Sequence, residues 1–354
     1  MSEKHNSESE LLLGLEDYLR FLYQDDVADM IHDFYPDLRD NNVVGCAARL
    51  IDWTKTQIDY NQELHDFMHG ASRHCRDRAM MNVILQYLSQ HRSIREPIPR
   101  LMTAFRKALH TEDDVKSRQV MIALLEFVNN YYEKDKMFRG VINLVKSEIV
   151  DMQQINDAFS RGQIKSKVWL INELSALDTN FRGVVIMAGW WGQLKSFYEK
   201  RMRYGKMRII DMDRASCEIS DNLFNNSNLD NHKVKSIVAD VNNLVLHKNG
   251  YEWDIENFKT GSVYKEKFMP DLVINTSAEH MTDEWFFQLK NKQLASDPVV
   301  AIQSNNLFDV PEHINCVHSI NHMKKKYPMR EILFEGELQL KGYKRVMVIG
   351  RLEQ

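Results

Sequence analysis

Glu279-His280 and Glu312-His313 are the residues of this 354-residue chain best suited to acid–base chemistry. An imidazole can take a proton from an N–H or O–H nucleophile near neutral pH. An adjacent carboxylate can orient it or act in its place. His280 is the first candidate base, Glu279 its holder or substitute, and His313 the next candidate. Polar residues crowd around them. Asn275, Thr276 and Ser277 precede the first pair; Gln303, Ser304, Asn305 and Asn306 form a second cluster; Cys316 follows the third. Asn275 and Asn305 can orient an amide, amine or hydroxyl. The plainer role for such residues is to cap helices and tie down loops. Glu279, His280, Glu312 and His313 also have metal-ligand chemistry. The two pairs are distant in sequence, so no metal is assigned. His65 and His69 are four apart on an expected helix, with His74 and Cys75 close by, and this spacing can hold zinc from one helix face. Gly70 and the polar surroundings favour a solvated face instead.

A second kind of chemistry lies between Gly183 and Asp213. An apolar run, Val184 to Ala188, enters a turn at Gly189 and Gly192, a helical segment follows, and a second apolar run ends at Asp211 and Asp213. Strand, glycine turn, helix, strand and acid make the βαβ unit that holds a nucleotide-like ligand. Gly189 lets the chain turn sharply and lets a ligand approach the backbone. Gly192 opens the helix, whose free N–H groups face the same spot. An acid ending the second strand can accept both ribose hydroxyls.

These residues need a scaffold, and the pattern of the chain supplies one. Apolar residues fall at helical spacing from Glu10 to about Phe34, with a break at Tyr35-Pro36-Asp37, and again over about 45–69. Further helical stretches run over 75–91, 97–110, 113–133 and 136–160, with almost no alternating pattern before 180. Residues 1–162 therefore read as an all-α domain, for substrate or partner recognition, and 163–354 as an α/β domain. Ser166 to Leu177 forms an amphipathic helix leading into the first strand. Strands are expected at 183–188, 206–211, 234–239, 271–276, 298–303, 331–338 and 344–350. Helix-length segments separate the first five, which indicates a parallel sheet with crossover helices. The last two are too close together for a crossover and form an antiparallel hairpin. In such a sheet, ligands bind beyond the carboxyl ends of the strands.

The C-terminal half, about 165–354, resembles the class I S-adenosylmethionine-dependent methyltransferases, a Rossmann-like α/β fold whose seven-stranded sheet has an antiparallel last strand. Gly189-Trp190-Trp191-Gly192, Ile274-Asn275-Thr276-Ser277-Ala278-Glu279-His280 and Gln303-Ser304-Asn305-Asn306 further resemble an uncharacterised phage-type methyltransferase-like group. The resemblance implies S-adenosylmethionine as cofactor. Ala188, Gly189, Trp190 and Gly192 would form the turn beneath its methionine part, and Asp211 would hold the ribose, with Asp213 second to it. Asp240 and Val241 would contact the adenine, and Asn275 would open the loop where substrate and cofactor meet. The expected reaction is methyl transfer to an acceptor the sequence does not name. Departures from the family pattern are the bulky Trp190-Trp191 and the absence of both Asn-Pro-Pro-Tyr and a Pro-Cys dipeptide. The unusual fourth-strand loop motivates a non-methylating use of the cofactor or another nucleotide. The large helical domain motivates a non-catalytic, binding or virion-associated protein.

Composition sets outer limits. Hydrophobic content of 44% supports a sizeable core, and a net charge of −4 gives no global attraction to nucleic acid. No apolar run is long enough to cross a membrane, and the polar start lacks the apolar core of a signal peptide. Cys46, Cys75, Cys217 and Cys316 are scattered and read as free thiols, so a cytoplasmic location is expected, the host cytoplasm for a phage protein. A protein partner through the helical domain fits this outline. Trp253 and Tyr264 lie between strands three and four, where an insertion can form a lid. The basic runs Lys324 to Lys326 and Arg201 to Arg208 read as solvated faces.

Overall fold

Helical spacing in the first half resolves into short helices. The computed structural model describes residues 8–353 apart from 41, 57–61, 63, 65, 68–77, 91–93, 95–97, 111–114, 132–134, 148 and 226–232. Two compact units divide the chain, Met1–Lys165 and Ser166–Gln354. The first holds α1 (Glu8–Phe21), α2 (Asp25–Arg39), α3 (Val43–Lys55), α4 (Arg78–Gln90), α5 (Ile98–His110), α6 (Val115–Tyr131), α7 (Lys136–Ser147) and α8 (Met152–Ala158), and α9 (Arg161–Ala176) spans the boundary. No strand occurs before Phe181 among the described residues.

Three expected boundaries change. The helix read from Glu10 to Phe34 is two helices, because Tyr23 takes a φ of 60° between them. The expected break at Pro36 does not occur. Proline in the last turn of α2 forfeits one N–H bond, while its carbonyl still accepts from Asp40 N at 3.1 Å. The stretch 136–160 also divides. Asp151 starts α8 with a capping box: its carboxylate accepts from Gln154 N at 2.7 Å, and the Gln154 side chain accepts from Asp151 N at 3.4 Å. Repeated apolar positions bury one face of each helix, as with Met137, Phe138, Val141 and Val145 on α7. His65, His69, His74 and Cys75 lie outside the described residues, as does part of the expected helix 45–69. Cys46, Cys217 and Cys316 are buried and free.

The second unit carries a seven-stranded sheet of order β3-β2-β1-β7-β8-β10-β9. Its members are β1 (Phe181–Met187), β2 (Tyr204–Asp211), β3 (Val234–Val238), β7 (Leu272–Asn275), β8 (Val299–Asn305), β9 (Glu331–Gln339) and β10 (Lys344–Arg351). The neighbours β3, β2, β1, β7 and β8 pair in parallel, and β10 runs antiparallel between β8 and β9. Central strands β7 and β8 are buried at every residue, as parallel strands covered on both faces must be. Crossover segments contain α10 (Leu194–Arg201), α11 (Arg214–Ile219), α12 (Glu284–Lys292) and α13 (Ile320–Lys326).

Between β3 and β7 lies a three-stranded antiparallel sheet of β4 (Val245–His247), β5 (Gly250–Glu256) and β6 (Val263–Phe268). This corrects the expectation of a lid. Trp253 is buried and stacked on Tyr251 at 5.2 Å, and both join a hydrophobic core with Val185, Ile210 and Trp285. It also corrects the reading of Arg208 as part of a solvated basic face. Arg208 is fully buried on β2 and donates to Glu266 of β6 from Nε at 2.6 Å and Nη2 at 2.7 Å. A bidentate pair of this kind tolerates burial because both ions keep their hydrogen bonds. Lys324 and Lys326 pair with Glu335 and Asp283.

Candidate functional site

Strand register decides what meets at the carboxyl end of the sheet. Met187 aligns with Ile210 on one side and Asn275 on the other, Asn275 aligns with Ile302, and Asp211 with Val238. The turn after β1, the acid ending β2 and the loop after β7 therefore open at one level.

The turn after β1 is held by Asp211. One carboxylate oxygen accepts from Trp190 N at 2.8 Å and the other from Asp213 N at 3.0 Å. Each oxygen keeps a lone pair for a further donor. Burial raises the Asp211 pKa, with backbone N–H groups opposing the shift. Asp213 does different work. It caps α11, accepting from Ala215 N, Ser216 N and the Ser216 hydroxyl, which lowers its pKa. Asp240 caps the short turn Val241–Asn243 and accepts from Asn242 N at 2.9 Å, while Val241 is buried beside it.

Gly189 is not the residue that supplies the unusual backbone. The left-handed conformations fall on Ala188 (φ 47°), Trp190 (φ 48°) and Gly192 (φ 72°). Gly189 is required by packing. A Cβ there would sit 2.4 Å from Ile209 Cγ2, on the strand rather than in ligand space. Two non-glycine residues at positive φ in one turn mark local strain of the kind that gathers at functional sites. Trp191 packs inside, 2% exposed, and Trp190 is half-buried against it at 4.9 Å between rings. α10 begins at Leu194, two residues beyond Gly192. Gly189→Ala is expected to destabilise the second unit by about 1–3 kcal/mol through overpacking on Ile209. A urea unfolding midpoint equal to wild type would contradict that.

Polar residues of the loops converge on Glu279. Asn275 is wholly buried; it accepts from Ser277 N at 2.9 Å and donates to Met281 Sδ at 3.2 Å, folding the loop into a tight turn. Ser277 donates to Ala188 O at 3.5 Å, joining this loop to the β1 turn. Glu279 follows in a short 3-10 turn and is 2% exposed. Its Oε1 accepts from Asn305 Nδ2 at 2.8 Å and from Arg345 Nη1. Its Oε2 is buried without a hydrogen-bond partner. The rings of His280 and His313 meet edge to face, 4.6 Å apart. His280 presents its surface to solvent, yet partial enclosure lowers its pKa, with the Glu279 charge opposing. One nitrogen from each imidazole and one Glu279 oxygen lie within 4.8 Å of one another.

The structure thus unites Glu279, His280 and His313, which sequence separation left apart. Glu312 is exposed and stands outside the cluster. The second polar cluster lies largely within a strand, because β8 runs two residues past its expected end at 303. Gln303, Ser304 and Asn305 belong to β8 and pair with Met347, Val346 and Arg345 of β10. Gln303 donates to Ser166 O at 3.0 Å and Ser304 to Asn315 O at 3.3 Å, so both serve packing, and only Asn305 reaches Glu279. Cys316 is buried, donating to Asn305 Oδ1 at 3.3 Å, and burial pushes its thiol pKa up. Two residues of the cluster carried no sequence signal of their own. Arg345 stands beside Lys344 at the start of β10, where nothing in the sequence set it apart. Asn315 pins the loop to Glu279 O, Met281 O and Asp283.

No family model and no curated protein matches the chain in sequence. Among solved structures it is similar to an N-methyltransferase, NodS, from Bradyrhizobium japonicum WM9 in complex with S-adenosylhomocysteine, at 8% identity, TM-score 0.42, 61% of this chain and 100% of that one. It is also similar to magnesium protoporphyrin IX methyltransferase from Synechocystis PCC 6803 with bound S-adenosylhomocysteine, at 10% identity, TM-score 0.41, 65% and 99%. A third is an S-adenosylmethionine-dependent methyltransferase from Clostridium acetobutylicum ATCC 824, at 12% identity, TM-score 0.39, 61% and 98%.

Proposed function

We propose that this chain binds S-adenosylmethionine at the carboxyl end of its seven-stranded sheet and transfers the methyl group to an acceptor held by the loops after β7 and β8. The observation that carries this reading is the link between Asp211 and the β1 turn. A half-buried carboxylate ends β2, braces the strained turn through Trp190 N and keeps acceptor capacity for two ribose hydroxyls. Ala188, Gly189, Trp190 and Gly192 would lie beneath the methionine part, and Asp240 and Val241 beside the adenine. Asp213 is assigned to helix capping instead. The sheet has seven strands and its last strand, β10, runs antiparallel to its neighbours, as the resemblance to class I methyltransferases implies. The finer likeness to a phage-type group rests on the sequence motifs alone.

The cofactor supplies an electrophilic methyl on a sulfonium, and the chain's part is to orient the acceptor in line with it. Asn275, Glu279, His280 and His313 are the candidates for receiving that acceptor. Residues 1–162 are assigned to recognition of the acceptor or of a protein partner. Calorimetric titration of S-adenosylmethionine and S-adenosylhomocysteine into the full chain tests the reading. Micromolar binding of both supports it. A folded protein that binds neither overturns it.

A further inference from the structure

We propose that Glu279, His280 and His313 form a site for a divalent transition-metal cation of the zinc class. Two imidazoles and one carboxylate are a donor set used for catalytic zinc and related ions, which leave a coordination position open. The three residues come from two loops, after β7 and after β8, yet their donor atoms fall within 4.8 Å of one another.

Two of the ligands also have a hydrogen-bond partner on their far side. His313 Nδ1 stands 3.1 Å from Leu307 O, which as an N–H donor leaves Nε2 with a free lone pair. The His280 ring packs edge to face against the His313 ring, 4.6 Å between centroids. Glu279 Oε1 is occupied by Asn305 and Arg345. A backbone carbonyl behind one imidazole and donors behind the carboxylate are how metal ligands are oriented in proteins.

The independent sign is Glu279 Oε2. This carboxylate oxygen belongs to a residue 2% exposed and has no hydrogen-bond partner. A buried, unpartnered charged oxygen is costly, and a cation would satisfy it. Arg345 neutralises part of the carboxylate charge from the other oxygen and opposes a dication, so Oε2 and not Oε1 is the ligand atom. At about 2.0–2.1 Å from each donor, ligand atoms sit roughly 3.3–3.5 Å apart, so the cluster must close by about an ångström. His280 is exposed and His313 half-buried, and both can make that movement.

The site does not depend on the cofactor reading. It would add a Lewis acid for an acceptor oxygen or nitrogen. A ring nitrogen bound to the ion has no lone pair for a proton, so the ion replaces His280 as the group that activates the acceptor.

The test is calorimetric titration of Zn²⁺ into chelator-stripped full chain, without S-adenosylmethionine, with bound metal measured after dialysis. Wild type is expected to retain one equivalent. His313→Ala and His280→Ala, each with an unchanged melting curve, are expected to weaken binding at least 100-fold. The His65→Ala/His69→Ala double variant is expected to retain the ion. Wild type without retained zinc overturns the proposal, and so does binding that survives His313→Ala. S-adenosylmethionine titration of the same variants separates the two readings. A variant that loses zinc but keeps the cofactor leaves the cofactor assignment standing, and one that keeps zinc in a protein that never binds cofactor leaves the metal site standing.

Discussion

Asp211→Asn is expected to weaken S-adenosylmethionine binding by about 100-fold while leaving the fold intact. Hydrogen bonds to a charged group contribute about 1.5–3 kcal/mol each, and two ribose hydroxyls are involved. Asparagine keeps the shape and one acceptor oxygen, so it removes the charge and one of the two hydrogen bonds that hold the turn. Asp211→Ala goes further, because it also frees Trp190 N and Asp213 N. The pH profile gives a second readout. Partial burial raises the Asp211 pKa, and under the proposed ribose role the ionised form would be the one that binds. Affinity should therefore fall about tenfold per pH unit below that raised pKa, and Asp211→Asn should flatten this limb. Stability of the cofactor-free chain carries the opposite sign. A group with a raised pKa in the folded state contributes stability that is fully present below its unfolded pKa and lost as pH rises through the folded one. Calorimetry between acidic and neutral pH checks the first effect, and unfolding midpoints check the second. Unchanged affinity in Asp211→Asn would remove the ribose assignment.

The second large effect is on stability. Arg345→Leu is expected to destabilise the second unit by about 3–5 kcal/mol, because it strands the Glu279 carboxylate in the interior. Arg345 is 3% exposed and Glu279 2%. Replacing both partners removes the stranded charge, so Arg345→Leu with Glu279→Gln should lose much less than the sum of the single changes. Chemical unfolding of the four proteins gives the cycle. A loss below about 1 kcal/mol in Arg345→Leu would mean that water reaches the pair. The Arg208–Glu266 pair offers a comparison, since it joins β2 to the small sheet by two donor atoms rather than one.

All seven strands of the main sheet were legible in the sequence, the first five as short apolar runs separated by helix-length segments. The hairpin of β9 and β10 was legible for a simpler reason, the few residues between them. The three-stranded sheet was not. Its exposed strand β6, Val-Tyr-Lys-Glu-Lys-Phe, carries charge on a face that β5 does not bury, and its apolar content gave no run to detect. The division of the first helix at Tyr23 was hidden too, since apolar spacing continues across it. The polar end of β8 was cut short, since the strand expected to end at 303 runs on through Ser304 and Asn305. Gln303, Ser304 and Asn305 are buried polar residues that pair with β10, and polarity alone cannot distinguish them from residues in solvent.

For the site, the sequence by itself determined the local parts: the turn after β1, the acid after β2, and the Asn-Thr-Ser-Ala-Glu-His loop with its chemistry. These follow from period, composition and neighbour spacing, all short-range properties of the chain. Tertiary structure alone decided which parts meet. Glu279, Asn305, His313 and Arg345 lie far apart in sequence, and the order β7-β8-β10 brings the loops and strand ends that bear them to one place. It also decided that Gly189 serves packing against Ile209, that Asp213 caps a helix, and that one oxygen of Glu279 is left without a partner. Those outcomes depend on strand order, register and burial, which are set by contacts between residues remote along the chain, and sequence spacing carries no record of them.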